Sequence, residues 1–188
     1  TRMRDILGHA VGATVDLEIV PGNEVWPIKA DATMLETAIL NLCINARDAM
    51  PSGGTIRMTT SMIDVGKADP LASPSVDSEI APGRYCVLTV SDSGIGMDDQ
   101  TLAHIFEPFF TTKEKGKGTG LGLATVYGIV SQSDGFVTAE SVAGKGSVFR
   151  ILLPSLTTGA TMSSPQNEGR AAIEAPITHA IPSTAIAV

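Results

Sequence analysis

The 188-residue sequence predicts an α/β sandwich, with helices laid on a sheet that is built partly from hairpins. Three observations point there. Short stretches rich in Val, Ile, Thr and Phe recur along the chain, and the first of them alternates strictly between apolar and charged residues. Two helical patterns are separated by several such strands, whereas a doubly wound parallel sheet would alternate strand and helix one by one. A Gly-Lys-Gly turn joins the last two strands directly.

Val15-Asp16-Leu17-Glu18-Ile19 alternates at period two, the pattern of a half-buried strand. Pro21-Gly22-Asn23 is a turn, and Val25 to Lys29 reads as a second strand that Pro27 places at an edge. A helix is expected from Thr33 to Met50, capped by Asp31 or Thr33 and stopped by Pro51-Ser52-Gly53-Gly54. Leu35, Ala38, Ile39, Leu42, Ala46 and Ala49 form its core stripe at i, i+3, i+4 spacing. Thr55–Ser61 and Arg84–Val90 are expected strands, with Gly66–Gly83 a polar surface loop between them. A second helix begins near Leu121, carries Leu123, Ala124, Val126, Tyr127 and Val130, and ends at Asp134-Gly135. Phe136–Ser141 and Ser147–Leu153 complete the set as strands joined through Gly144-Lys145-Gly146. No internal repeat is present. Beyond Pro154 the composition turns to Ala, Ser, Thr and Pro with no aromatic residue, so residues 155–188 are expected to be a low-complexity linker or tail.

Composition narrows the function classes. Hydrophobic residues make up 43%, enough for a core, and 13 Lys+Arg against 20 Asp+Glu leave a net charge of −7. An acidic chain lacks the basic face that phosphate-backbone binding needs, so no nucleic-acid partner is expected. No apolar run reaches the roughly 18 residues of a membrane helix. Thr1-Arg2-Met3-Arg4-Asp5 leads into no signal-peptide core, and a first residue other than Met suggests a piece of a longer protein. Cys43 and Cys86 form neither a CxxC pair nor a disulfide framework.

Several clusters carry chemistry. Asn41, Asn45 and Asp48 share one stripe of the first helix. Asn is a poor interior helix residue because its amide competes for backbone groups. Two aligned with an Asp suggest oxygen ligands for a hard cation such as Mg2+, which takes one or two protein oxygens plus substrate phosphates. Glu36 fits either a Thr33-x-x-Glu36 capping box or a catalytic carboxylate. Asp92-Ser93-Gly94-Ile95-Gly96 follows a strand, so an acceptor-only side chain sits at its end, suited to a purine amine, beside glycines that permit close approach. Gly116-Lys117-Gly118-Thr119-Gly120-Leu121-Gly122 opens the second helix as an anion cradle, with Lys113, Lys115 and Lys117 nearby. It is neither a Walker A loop nor a dinucleotide fingerprint.

Taken in order, the Asn-bearing helix, the Asp-x-Gly-x-Gly turn, Phe106-Glu107-Pro108-Phe109-Phe110 and the Gly-x-Gly-x-Gly run resemble the ATP-binding domain of sensor histidine kinases. That domain shares the Bergerat-fold superfamily with gyrase, the ninety-kilodalton heat-shock chaperone and MutL. The resemblance covers about Val15 to Pro154. Leu40 to Pro51 and Phe106 to Lys113 look like the nitrogen-regulator and hybrid-kinase branch. It implies a two-layer sandwich with a mixed, mainly antiparallel sheet and a mobile ATP lid. It also implies that Mg-ATP is bound and its γ-phosphate given to a His on a separate dimerisation domain.

Residue by residue, the resemblance makes Asn45 a Mg2+ ligand with Asn41 beside it, and Asp92 the acceptor of the adenine amine in a pocket shaped by Gly94 and Gly96. Lys113 to Thr119 match the lid, and Gly118, Gly120 and Gly122 match the phosphate-side glycines, with Lys117, Thr119, Leu121 and Asp48 as further nucleotide contacts. Ser147 matches a hydroxyl that supports the adenine network, and Phe106, Phe109 and Phe110 look like the lid's anchor. Asn41, Asn45 and Lys113 are the expected catalytic residues. The family's acceptor His has no counterpart in His9, His104 or His179. Residues 1–14 are therefore expected to be a linker from an upstream acceptor domain, and 15–154 the catalytic domain. The implied partners are that helical hairpin and a downstream receiver domain. The full-length protein is expected to be a homodimer, soluble or membrane-anchored, with this domain in the cytoplasm. The rival readings are a gyrase- or MutL-type hydrolase and a non-catalytic nucleotide sensor. The hydrolases carry a water-activating Glu where Asn41 stands.

Overall fold

The computed structural model describes residues 2–22, 26–66, 80–114 and 118–156. Its elements in chain order are α1 (Arg2–Val11), β1 (Val15–Val20), α2 (Ala32–Asp48), β2 (Gly54–Val65), β3 (Gly83–Asp92), α3 (Asp99–Leu102), α4 (Gly122–Gln132), β4 (Phe136–Val142) and β5 (Gly146–Pro154). The strands form one sheet in the order β1-β2-β3-β5-β4. β1 and β2 are parallel, which requires a crossover, and α2 supplies it. The other pairings are antiparallel, so the sheet is mixed and mainly antiparallel as expected.

Two-residue periodicity sorts the sheet's faces. Val90 of β3 and Phe149, Ile151 and Leu153 of β5 join one core with Leu7, Val11, Ala38, Leu42, Ala46, Val126 and Val130 from the helices. On the opposite face Tyr85, Val87 and Leu152 make a smaller cluster with Ile80, where the Tyr85 and Phe136 rings meet edge to face at 6.0 Å. Leu42 is fully buried between α2 and the sheet. Leu42→Ala is expected to lower stability by about 2–5 kcal/mol, read as a shift in urea midpoint, with little collapse of the surrounding layers.

The predicted elements recur with shifted ends. Asp31 caps α2, its carboxylate accepting from the Met34 N–H at 3.0 Å. Thr33 lies inside that helix, so the capping-box role for Glu36 falls away, and Glu36 is exposed. At the end of α4 it is Asp134, at φ 53°, that takes the left-handed conformation assigned to the Asp-Gly pair. Gly135 is required there for space, since a Cβ would stand 2.6 Å from the Leu152 carbonyl oxygen.

Two expectations differ from the structure. Among its described residues the Val25–Lys29 stretch makes no strand, only an isolated antiparallel bridge of Ile28 with Ser155. Pro27 has no N–H for a ladder, and its carbonyl accepts instead from Leu156 at 2.8 Å. Residues 1–14, expected as a linker, contain α1, which buries Leu7 and Val11 in the main core. Arg47 of α2 donates at 2.7 Å to the carbonyl of Ala10, one of the last-turn acceptors that a helix leaves unpaired. Residues 157–188 and most of the Gly66–Gly83 loop lie outside the described residues.

Candidate active site

The antiparallel register sets Asp92, the last residue of β3, opposite Ser147 at the start of β5. Both share the parity of Val90 and Phe149, so both belong to the helix-facing side of the sheet. The Asp92 carboxylate accepts from the Gly94 N–H at 2.8 Å and from the Ser147 backbone. Burial pushes its carboxyl above the usual range, and those two backbone bonds only partly oppose the shift. A half-buried carboxylate held by backbone alone is a fixed acceptor.

Glycines are needed where the chain closes on this carboxylate. Gly96 has φ 63°, and a Cβ on it would stand 2.0 Å from the Val142 carbonyl oxygen. A Cβ on Gly94 would lie within 2.8 Å of both the Ala49 carbonyl oxygen and Asp92 Oδ1. Ser147 is buried, and its hydroxyl lies 3.0 Å from that of Ser141 on β4. Ser141 accepts from the Met97 N–H at 2.8 Å and donates to the Gly146 carbonyl at 2.9 Å. Thus Ser141, which the sequence analysis missed, pins the Gly94–Met97 loop to the final hairpin. A lone Ser in a strand carries no local signal of such a role.

The N-terminus of α4 lies beside α2, which packs in the same core. Leu121 at its N-cap position makes no side-chain capping bond, so the first-turn N–H groups are uncapped. An ideal Cβ on Gly122 would sit 3.5 Å from Asn45 Nδ2 and 4.0 Å from Asn41 Oδ1, so both amides of α2 face that helix end. Gly120, at φ 65°, has space for no side chain, because a Cβ would stand 2.3 Å from the Phe109 carbonyl carbon. Its carbonyl accepts from the Phe109 N–H at 2.9 Å, while Phe109 holds φ 67° and is 73% exposed. Phe106 instead packs against Tyr127 at 5.9 Å, and Phe110 packs on the core. The three Phe residues therefore do different things.

Lys113 does not stand alone in this region. Its Nζ donates to Asp48 Oδ2 at 2.6 Å, and a Cβ on Gly118 would meet the stem of Lys113 at 3.1 Å. Asp48 Oδ1 accepts from Arg47 Nε at 2.9 Å and Nη2 at 2.5 Å. Partial burial pushes the Asp48 carboxyl up, but the hydrogen bonds and charges of Lys113 and Arg47 outweigh it and hold the group below its ordinary range. Thr119 Oγ1 accepts from the Leu121 N–H at 3.3 Å. Lys117 lies outside the described residues, as does His179. His9 is bonded to the Asp5 carbonyl within α1, and His104 to Glu107 beside Phe110.

An acceptor carboxylate in a glycine-lined turn, two amides and an uncapped helix end thus share one face of a mixed sheet. Residues 30–157 match the family described as histidine kinase-, DNA gyrase B-, and HSP90-like ATPase. The chain belongs to that family. This ATPase-family domain is 46% identical over 154 residues to the sensor kinase CckA of Brucella abortus, a match that takes in 82% of the chain and 16% of CckA. It is 35% identical over 144 residues to the histidine-protein kinase AtoS of Escherichia coli, taking in 77% of the chain and 20% of AtoS. The chain therefore spans well under a quarter of these relatives.

Among solved structures, a mycobacterial sensor histidine kinase, MprB, superposes with TM-score 0.63 at 24% identity over 82% of this chain and 91% of that one, which shows the shared fold. Full-length ShkA in complex with AMPPNP superposes with TM-score 0.62 at 25% identity, over 85% of this chain and 30% of ShkA. Within the family the domain is of the sensor histidine kinase class, and the sandwich that the sequence predicts is the fold observed.

Proposed function

We propose that this domain binds Mg-ATP between α2, α4 and the Asp92 end of the sheet, and gives the γ-phosphate to a His on a separate dimerisation domain. The observation that carries the reading is the convergence of Asn41 and Asn45 on the N-terminus of α4, on the sheet face to which Asp92 belongs. Asp92 accepts the adenine amine, and Gly94 and Gly96 let the base come close. Ser147, through Ser141, keeps that turn in place. The α4 N-terminus with Gly118, Thr119, Gly120, Leu121 and Gly122 holds the phosphates, and Lys113 and Lys117 add positive charge. Asp48 enters through Lys113, which it binds.

Amide oxygens from Asn41 and Asn45 fit Mg2+, which prefers neutral or anionic oxygen and keeps room for phosphate. When bound, the ion supplies charge neutralisation to the phosphates. Phosphoryl transfer demands positioning and charge stabilisation more than covalent participation, and these residues provide both. Asn41 stands one turn before Asn45, where water activation would need a carboxylate, which supports transfer over hydrolysis. A catalytic domain over 15–154 with α1 of residues 1–14 docked on its core, a tail over 155–188, a homodimeric whole protein, and a receiver domain as the next phosphate acceptor belong to the same reading. So does a cytoplasmic placement. Among the described residues no helix is long and apolar enough to cross a membrane.

Asn45→Ala tests the metal assignment. The variant is expected to lose about 1–3 kcal/mol of binding to Mg-ATP and far less to ATP in the presence of a chelator. Titration calorimetry with and without Mg2+ measures both, and an equal loss in the two conditions would remove Asn45 from the metal.

A further inference from the structure

Asp48 shares its helix stripe with Asn41 and Asn45, which is why the sequence groups it with the nucleotide contacts. Its contacts point elsewhere. Oδ2 is bonded to Lys113 and Oδ1 to the Arg47 guanidinium, so both oxygens already face cations of this chain. Arg47 in turn holds the last turn of α1 through the Ala10 carbonyl. Lys113 lies sixty-five residues further on, between Phe110 and α4, so the pair crosses from helix to loop. The two side chains are 35% and 26% exposed, which leaves the pair within reach of solvent and of an incoming anion.

We propose that Asp48 is the resting counter-ion of Lys113, so that a nucleotide's terminal phosphates must take the lysine from it. Asp48 is then a positioning residue, setting how readily the one cation of the pair is released, and it is neither a metal ligand nor a nucleotide contact. Competition of this kind discriminates by phosphate number. Adenosine, lacking phosphate, leaves the ion pair intact, whereas a triphosphate offers Lys113 a denser anion than one carboxylate. Arg47 tunes the competition because it shares the Asp48 charge. The inference rests on the nucleotide reading above and adds a sign to it: removing Asp48 strengthens triphosphate binding.

The test uses the chain itself, with ATP and adenosine as titrants and far-ultraviolet circular dichroism confirming the fold of each variant. Asp48→Asn is expected to raise ATP affinity about two- to fivefold, the scale of a partly exposed ion pair, and to leave adenosine affinity unchanged. In a Lys113→Gln background the same substitution is expected to have no effect on ATP, which separates release of the lysine from a general loss of negative charge near the phosphates. Arg47→Gln, which leaves the whole carboxylate to Lys113, is expected to shift ATP affinity in the opposite direction.

Unchanged or weakened ATP binding in Asp48→Asn would overturn the proposal and return Asp48 to the metal or nucleotide. So would a gain that persists without Lys113. Failure of the unaltered chain to bind both ATP and adenosine would instead overturn the nucleotide reading, a distinguishable outcome.

Discussion

Asp92→Ala is expected to reduce ATP binding below calorimetric detection while the fold persists. The carboxylate is fixed by the Gly94 N–H and the Ser147 backbone, so on the proposed reading it would meet an adenine amine without rearrangement. A hydrogen bond to a charged partner contributes about 1.5–3 kcal/mol, a factor of roughly ten to one hundred in affinity. The fold survives because Asp92 ends its strand and the register of β3 with β5 runs on from Ser91 to Tyr85. Asp92→Asn is the milder companion: it keeps an acceptor oxygen but loses the charge. pH acts on the same atom. Since burial raises the Asp92 carboxyl, protonation begins above the ordinary carboxylate range, and nucleotide affinity is expected to fall with pH from that higher point. The linkage to stability has the opposite sign. Ionising a group whose folded pKa is raised costs stability as pH rises through the shifted range. Wild-type affinity in a folded Asp92→Ala chain would remove this residue from the adenine site.

The second large effect concerns phosphate transfer. Incubated alone with γ-labelled ATP, the chain is expected to acquire no acid-labile phosphate and to release little inorganic phosphate. His9 and His104 are exposed histidines engaged locally, by the Asp5 carbonyl and by Glu107. Mixed with a helical hairpin that carries its cognate His, the chain is expected to label that hairpin. Positioning is the catalytic contribution here, so the contrast between no transfer and transfer is the full effect of supplying the acceptor. Acid-labile label on the isolated chain, lost on changing His9 or His104, would place the acceptor within this domain.

Much of this architecture is legible in the sequence. β3 and β5 read as near-continuous apolar runs, because each has the helix layer on one face and a smaller cluster on the other. α2 shows its core stripe in Ala38, Leu42 and Ala46, and Asp92 stands out as an acidic residue at the end of a strand, before glycines. What stayed hidden depends on distant partners. α1 is ten residues long and contains Gly8, too little to announce a helix by itself, and it is held by burial of Leu7 and Val11 and by Arg47. The Val25–Lys29 stretch has a strand's composition, but Pro27 cannot join a ladder. The Lys113–Asp48 pair joins residues whose proximity no local pattern encodes.

The bond from the Phe109 N–H to the Gly120 carbonyl has a consequence for how this domain can diverge. It fastens the two ends of the intervening segment to each other, so that segment leaves and returns at one point of the framework. Lengthening a loop tethered at its neck costs little, about 0.6 kcal/mol for each doubling of a flexible stretch. Insertions, deletions and changes of charge between Thr111 and Thr119 can therefore accumulate while the sheet, the core and the adenine side stay as they are. On the reading proposed above, the part of the domain that would handle phosphate is free to be rewritten for a new acceptor without refolding the part that would hold the base.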